Sequence, residues 1–224
     1  MDLTTAHTVA EKLHISVNYI VREEYEMMLL KDIFESEYGT HLVFKGGTAL
    51  RLAYGSARFS EDLDFTLIQK FDSDKFIEFL QKAARQYPSI TDIEARDKFY
   101  TIFALVKIKE PFLARAFSIK IEISKRREKW TKDKDYTLKV LRSETTPLTV
   151  LANIASLEVI LCEKIDALKN RKVARDVFDH WYINQLLHKE VKPDFSKHDR
   201  SLAKGELHKL LPRNYWGLVD TWLE

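Results

Sequence analysis

Residues 44–65 constrain the fold most strongly, because this short stretch combines a strand, a glycine pair, a helix and a second strand. It reads FKGGTALRLAYGSARFSEDLDF. An apolar run at 42–44 is followed by Gly46 and Gly47, and the residues after them favour a helix. A glycine turn between a strand and a helix directs backbone N–H groups and the helix N-terminus at a phosphate. The pattern therefore predicts an anion site at Gly46, Gly47 and Thr48.

The second half of this stretch carries a D-x-D pair, Asp62 and Asp64, which alternates with Leu63, Phe65 and Leu67. Such alternation is typical of a β-strand whose residues i and i+2 share one face. Two neighbouring carboxylates repel each other unless water solvates them or a cation lies between them. Mg²⁺ prefers hard oxygen ligands and is often shared between a few carboxylates and substrate phosphates. The pair indicates either a solvated strand face or half of a metal site for nucleotidyl transfer.

Alone, each of these two features is weak. A Gly-Gly pair is usually a turn, and most D-x-D pairs lie on solvated surfaces. The stretch is not a P-loop, because no Lys-Ser/Thr pair follows the glycines at the required spacing. The ordered set of strand, Gly-Gly-Thr, helix and acid pair is what favours a site for a nucleotide and a metal.

Composition limits the class of protein. The chain has 224 residues, of which 45% are hydrophobic and 31% charged, with a net charge of +2, so any surface for a polyanion must be local. Cys162 is the single cysteine, which excludes internal disulfides and thiolate zinc sites and fits a reducing compartment. No apolar run reaches the ~18 residues of a membrane span, and the N-terminus lacks a signal-peptide core. We expect a soluble, cytoplasmic protein without membrane contact.

Hydrophobic periodicity predicts an α/β protein with a mixed sheet, followed by a helical bundle. The predicted division falls at the Thr-Thr-Pro sequence, giving a domain of residues 1–145 and a helical domain of residues 146–224. Beyond that point the stripe at 149–169 favours a helix. The other expected elements are helices at 8–13, 16–36 and 72–86, and strands at 41–44, 62–67, 90–95, 99–108 and 116–124.

In the last of these strands, Glu122 lies on the polar face with Ser118, Lys120 and Ser124, whereas isoleucines form the other face. From the residues alone, this polar face is an exposed edge of the sheet or the position of a third carboxylate.

A second cluster of charged residues follows at 164–179. Asp176 and Asp179 are three residues apart and share a helix face, near Lys164, Arg171 and Arg175. The residues alone fit an ordinary salt-bridge network.

A basic segment at 120–142 contains Trp130 and Tyr136 among its charges. Basic residues with stacking aromatics can bind single-stranded or terminal RNA, whereas many such runs are solvated loops. If the segment binds RNA, we expect Lys125, Arg126 and Arg127 to take part. The basic tail at 189–213 is the other candidate surface.

The sequences KGGTALRLAYG and RFSEDLDF resemble the signature of the AbiEii/AbiGii toxin family. Members of this family are nucleotidyltransferase-like proteins of the DNA polymerase β superfamily, usually encoded beside a transcription-regulator antitoxin. The resemblance is dense over residues 43–66 and recurs at 164–179. Thr48 stands where many superfamily members have Ser, and its hydroxyl can play the same part.

The resemblance implies a polymerase β-like nucleotidyltransferase core and a C-terminal helical bundle with the active site in the cleft between them. It implies Asp62, Asp64 and Glu122 as ligands of Mg²⁺ or Mn²⁺. It makes Lys164 a phosphate-binding lysine and Asp176 a residue that holds or activates the site. The implied nucleotide-binding residues are Gly46, Gly47, Thr48, Arg58, Ser60 and Lys164.

The implied reaction transfers a nucleoside monophosphate from an NTP to an acceptor, releasing pyrophosphate, with one metal activating the attacking hydroxyl and a second steadying the leaving group. The implied acceptor is RNA, with the ends of tRNA as the leading candidate. The implied outcome is growth arrest or phage defence in a toxin–antitoxin system. The implied partner is a winged-helix antitoxin encoded nearby. Two alternatives stay open: nucleotidylation of a protein, and a non-catalytic interaction module.

Overall fold

A computed structural model describes residues 1–126 and 129–224 of the chain. Its centre is a mixed sheet with the strand order β3-β4-β5-β2-β1-β7-β6. The described strands are β1 (Leu42–Lys45), β2 (Asp62–Leu67), β3 (Ile90–Asp97), β4 (Thr101–Ile108), β5 (Phe117–Ser124), β6 (Tyr136–Ser143) and β7 (Thr146–Ala155). The described α-helices are α1 (Leu3–Lys12), α2 (Val17–Glu35), α3 (Gly46–Tyr54), α4 (Ser73–Ala84), α5 (Leu157–Asn170), α6 (Ala174–Leu186), α7 (Arg200–Leu210) and α8 (Trp216–Leu223).

Strand pairing explains why the sheet is mixed. β1 and β2 are antiparallel and flank the short helix α3. β2 is parallel to β5, and β1 is parallel to β7. The predicted strands β3, β4 and β5 form an antiparallel meander, as their alternating sequences indicated. The mixed α/β fold predicted from the sequence is therefore confirmed.

One face of the sheet packs against α2 and α4 and forms the main core. Alternate strand residues such as Phe44, Phe65 and Ile121 point into it, together with Met27 and Phe76 from the two helices. All five are at most 1% exposed, so each contributes about 1.5–3 kcal/mol through removal of its side chain from water. This packed face fixes the direction of the intervening polar residues, which must point to the opposite side.

The opposite face is only partly covered by helices. Val43 of β1 and Ala155 of β7 are buried there beneath Ile160 of α5 and Ile183 of α6. Helices α6, α7 and α8 pack beside this layer around a separate apolar cluster that includes Phe178. The polar side chains of β2 and β5 therefore line a cleft beside α5.

Two helix boundaries of the sequence prediction were wrong. The first helix begins at Leu3 rather than residue 8, because the side chain of Asp2 accepts a hydrogen bond from the Thr5 N–H and caps it. Residues 149–155 belong to strand β7 rather than to a helix, because they pair with β6 along their length and with β1. The helical stripe begins only at α5, where the Ser156 hydroxyl accepts from the Val159 N–H.

Strand β6 was missed because its residues were interpreted as part of the basic segment. The division expected at 145/146 falls in the turn that joins β6 to β7, and both strands belong to the sheet. Arg127, expected to contact RNA, lies outside the described residues. No helix among the described residues is both long and apolar enough to span a membrane.

Candidate functional site

The start of α3 brings backbone close to an acidic side chain. Gly46 adopts a φ of 79°, a left-handed conformation that glycine tolerates and other residues rarely adopt. A Cβ at this position would lie 2.5 Å from Oδ2 of Asp64. Glycine therefore allows the Asp64 carboxylate to lie directly against the N-terminus of α3.

The open face of the sheet carries four charged side chains in two rows. Parallel pairing of β2 with β5 sets Asp62 opposite Lys120 and Asp64 opposite Glu122. The Lys120 Nζ lies 3.3 Å from Asp62 Oδ2 and 2.7 Å from Glu122 Oε2. Glu122, which sequence analysis considered as a third acid, thus lies beside Asp62 and Asp64.

The carboxyl group of Asp64 has a raised pKa. Burial first, and then the charge of Asp62, raise the pKa of Asp64 to about 6, although Lys120 opposes the effect. Burial and the neighbouring acids therefore outweigh the local positive charge at Asp64. A cation bound beside Asp64 would relieve this imbalance.

Facing the acids, Lys164 of α5 is held between two aspartates of α6. Its Nζ lies 2.9 Å from Asp176 Oδ1 and 2.7 Å from Asp179 Oδ2. Arg171 donates two hydrogen bonds to Asp176, of 2.7 and 3.0 Å. Arg58 donates two to Asp179, both of 2.7 Å. Three cations share two carboxylates, so this network carries one positive charge in excess.

Both aspartates of the network have lowered pKa values. Burial would raise the pKa of Asp179, but the charges of Arg58 and Lys164 outweigh it and lower the pKa to about 2. Burial likewise opposes ionisation of Asp176, but hydrogen bonding from Arg171 and the charge of Lys164 lower its pKa. Both carboxylates are ionised near neutral pH and hold Lys164 in one position.

The acids of β2 and β5 form one wall of a cleft of about 530 Å³, and the Lys164 network forms the other. A volume of this size suits a small-molecule ligand such as a nucleotide. The cleft residues are Lys45, Gly46, Asp64, Phe65, Thr101, Glu122, Ser124, Arg126, Glu163, Lys164, Ala167 and Arg171.

Several expected site residues meet in this cleft. Asp64, Glu122, Gly46 and Lys164 all line it. Asp62 lies on the same strand face and is connected to Glu122 through Lys120. The expected acids, helix start and lysine are therefore close together.

The four other expected nucleotide-binding residues, Gly47, Thr48, Arg58 and Ser60, have different surroundings. The Thr48 hydroxyl is buried and donates to the Asp62 carbonyl at 2.5 Å. Arg58 is buried with Asp179, and a Cβ on Gly47 would collide with its guanidinium and with the Ser60 hydroxyl. Thr48 thus ties α3 to the Asp62 strand, and Arg58 ties the segment after α3 to α6.

Asp176 and the basic segment complete the set of expected residues. Asp176 is fully buried behind Lys164 and Arg171, so it orients these cations and does not line the cleft. Arg126 lines the cleft, whereas the Lys125 Nζ lies 2.5 Å from Asp97 Oδ1.

Sequence analysis missed Lys45 and Glu163, and it treated Arg171 only as a salt-bridge partner. Lys45 is paired in register with Asp64, and its Nζ forms an ion pair with Glu163 of α5. The position of Lys45 directly before Gly46 was a usable signal. Glu163 offered none, because its placement depends on how α5 lies against the sheet.

The acid face, formed by Asp62, Asp64 and Glu122, offers oxygen donors to a metal. Among the residues that the structure describes, no three His, Cys, Asp or Glu side chains converge as a ready-made metal site. The acids nevertheless already hold a cation, because the Lys120 ammonium bridges Asp62 and Glu122. Carboxylate oxygens are also the ligands that Mg²⁺ and Mn²⁺ prefer. The residues present therefore fit a hard divalent cation.

A strand, a glycine pair at a helix start, an acid face and an opposed lysine are the features expected of a nucleotidyltransferase. The chain belongs to the AbiEii nucleotidyltransferase toxin family: the family model described as "Nucleotidyl transferase AbiEii toxin, Type IV TA system" matches residues 28–210. The protein is accordingly a nucleotidyltransferase of a toxin–antitoxin family, as the signature at 43–66 indicated. A search of curated proteins found no match.

Solved structures show a similar fold. JHP933 from Helicobacter pylori has a TM-score of 0.58 and 24% identity, with 94% of this chain and 83% of that chain covered. A second structure, of a putative nucleotidyltransferase from Helicobacter pylori, has a TM-score of 0.61 and 24% identity, with 93% of this chain and 92% of that chain covered. MenT4, the nucleotidyltransferase toxin Rv2826c from Mycobacterium tuberculosis H37Rv, has a TM-score of 0.55 and 18% identity, with 89% of this chain and 67% of that chain covered.

Proposed function

We propose that this toxin transfers a nucleoside monophosphate from an NTP to the end of an RNA, with tRNA as the first candidate. The observation that carries the proposal is the register of Asp64 with Glu122, opposite Lys164 in one cleft. Acids on one wall and a lysine on the other suit a substrate that brings both phosphates and a bound cation. In the reaction the acceptor hydroxyl releases its proton to solvent and its oxygen bonds to the α-phosphorus, while the bond from the α-phosphorus to the oxygen shared with the β-phosphate breaks and pyrophosphate leaves.

In this proposal Asp62, Asp64 and Glu122 hold Mg²⁺ or Mn²⁺. When bound there, such a cation would supply Lewis acidity that lowers the pKa of the attacking hydroxyl and would neutralise phosphate charge. The Asp64 carboxylate is positioned for this role by Gly46, whose lack of a side chain lets α3 approach.

Lys164 and the start of α3 bind the phosphates of the NTP. Lys164 and Arg171 line the cleft, and the excess positive charge of their network would stabilise the negative charge that collects as pyrophosphate leaves. Asp176 and Asp179 keep the ammonium of Lys164 from swinging away. The N-terminus of α3, where Gly46 lines the cleft, adds a fixed partial positive charge.

The biological proposal follows from family membership. A type IV toxin–antitoxin family implies an antitoxin partner. We propose that this antitoxin is a winged-helix regulator encoded beside the gene, and that uncontrolled modification of tRNA arrests growth during phage infection.

The decisive experiment incubates the protein with each α-labelled NTP, total RNA and Mg²⁺ or Mn²⁺, followed by digestion with ribonuclease or protease. We expect label in RNA with wild type and none with Asp64→Asn. Asp92→Asn is the matched control, because it changes an exposed carboxylate on β3 outside the cleft. Label that survives ribonuclease but not protease would identify a protein as the acceptor. Absence of label with every NTP would favour a non-catalytic module.

A further inference from the structure

The turn between β3 and β4 presents two aromatic side chains to solvent. Phe99 is 84% exposed and Tyr100 is 59% exposed. Their ring centroids lie 4.5 Å apart with an angle of 90° between the ring planes. Paired aromatics at this exposure add little to the core, and exposed apolar groups beside a functional cleft commonly mark a binding surface.

The aromatic pair lies at the rim of the cleft. The Tyr100 carbonyl accepts a hydrogen bond of 2.8 Å from the backbone N–H of Lys125. Thr101, the next residue, pairs with Ser124, and both line the cleft together with Arg126. A ligand that enters the cleft along β4 and β5 therefore passes this turn.

A second cavity of about 430 Å³ adjoins the cleft, and Arg126 lines both. Half-buried apolar groups contribute to its lining, and lysines and the shared arginine contribute positive charge. Its lining residues are Leu67, Ile68, Lys70, Phe71, Ser73, Lys125 and Arg126. Phe71 is held in place by edge-on contact with Tyr38 and by Phe76.

We propose that one surface beside the cleft binds a single-stranded polynucleotide acceptor. This acceptor surface consists of Lys70, Phe71, Lys125, Arg126 and the Phe99–Tyr100 pair. The terminal nucleotide occupies the second cavity beside Arg126, and a following base stacks on the exposed pair. The inference rests on the proposed function, and it locates the acceptor apart from the NTP.

Charge and shape together select a single-stranded nucleic acid. Lys70, Lys125 and Arg126 match a phosphate backbone, and the aromatic rings match the π-faces of unpaired bases. Lys125 is paired with the carboxylate of Asp97. A phosphate can replace Asp97 as the partner of Lys125. A duplex offers no free base faces to Phe99 and Tyr100.

The test measures binding of a fluorescent single-stranded RNA oligonucleotide to the full chain by anisotropy, without NTP. We expect the double variant Phe99→Ser, Tyr100→Ser to weaken binding about ten-fold, because stacking contributes roughly 1–3 kcal/mol per base. Leu202→Ser is the matched control, because it removes a 75% exposed side chain on α7 and should leave binding unchanged.

A charge test complements the aromatic test. Lys70→Glu should weaken RNA binding and reduce its salt dependence, whereas Lys82→Glu should do neither. Both lysines are exposed, and Lys82 lies outside the second cavity. NTP affinity should be unchanged in all four variants, since none of the altered residues lines the cleft.

Equal RNA binding by wild type and the aromatic double variant would overturn the inference, as would equal binding of single-stranded and duplex RNA. A loss of NTP affinity in Lys70→Glu would assign the second cavity to the base of the NTP and would also overturn it. A different result would show that only the proposed function is wrong. In that case wild type would bind RNA through Phe99 and Tyr100 but would transfer no label to it.

Discussion

The ammonium of Lys120 bridges two carboxylates of the acid face, with its Nζ 2.7 Å from Glu122 and 3.3 Å from Asp62. These side chains are about a third exposed, so solvent screens the ion pairs and each stabilises the fold little. Because Lys120 lies between both acids, its ammonium would compete with any divalent cation for them.

We therefore expect Lys120→Met to tighten Mn²⁺ binding by about five-fold or more, since one unit charge at 4 Å changes the interaction by ~1 kcal/mol even at the dielectric of water. Isothermal titration with Mn²⁺ measures the effect. Lys107→Met is the control, because Lys107 also pairs with two carboxylates, Asp92 and Glu94, but lies outside the cleft. Weaker Mn²⁺ binding in Lys120→Met would mean that Lys120 orders the acids rather than competing with the cation.

The second prediction concerns acid stability. Arg58 and Lys164 lower the pKa of Asp179 from an unfolded value near 3.8 to about 2. The stability from this ionised carboxylate is fully present above about pH 4 and is lost as pH falls towards 2. The shift corresponds to about 2 kcal/mol. Urea unfolding of wild type should show this decline between about pH 4 and pH 2.

Asp179→Asn should lack that part of the decline and be less stable at pH 7. The substitution leaves Arg58 buried without its carboxylate, which typically costs about 3–5 kcal/mol. Asp166→Asn is the control, because Asp166 pairs with Lys169 on the exposed side of α5. An unfolding midpoint at pH 7 equal to that of wild type would contradict the assigned strength of the Arg58–Asp179 pair.

The parts of the fold predicted correctly are those set by local pattern. Alternation of Asp62 and Asp64 with apolar residues places both acids on one strand face, and the same rule puts Glu122 opposite the isoleucines of β5. The glycines mark the start of α3, because only glycine tolerates the backbone of Gly46 so close to Asp64.

What could not be predicted depends on contacts between distant segments. The hairpin of β6 and β7 pairs with β1, about a hundred residues earlier, and nothing local in 149–155 outweighs its helix-like spacing. The partners of Arg58 were equally hidden, because a sequence does not show that α6 packs Asp179 against it. Arg58 was therefore expected to meet phosphate, yet it is buried.

The third prediction separates a phosphate-binding role of Lys164 from a purely structural one. Lys164→Met should raise the Kd for NTP by about ten-fold or more, because it removes the cleft's buried ammonium while Arg58 still pairs with Asp179. Lys169→Met, on the exposed side of the same helix, should leave the Kd unchanged. NTP titration followed by thermal melting decides the matter: a lower melting temperature with an unchanged Kd would make Lys164 structural only.

The last prediction tests the close approach of α3 to the acids. In Gly46→Ala the new Cβ would lie 2.5 Å from Asp64 Oδ2, at a φ of 79° that alanine adopts only with strain. We expect the Asp64 carboxylate to be displaced, so that Mn²⁺ binding and nucleotidyl transfer fall at least ten-fold, while stability falls by about 1–2 kcal/mol.

Gly205→Ala is the matched control, because a Cβ there meets nothing within 4 Å in helix α7. Alanine is the better helix former, so this variant should gain about 0.5–1 kcal/mol of stability with unchanged transfer. Urea midpoints and Mn²⁺ titrations of the two variants provide the comparison. If Gly46→Ala lost stability but bound Mn²⁺ as wild type does, the contact between α3 and Asp64 would not be needed to position the acid.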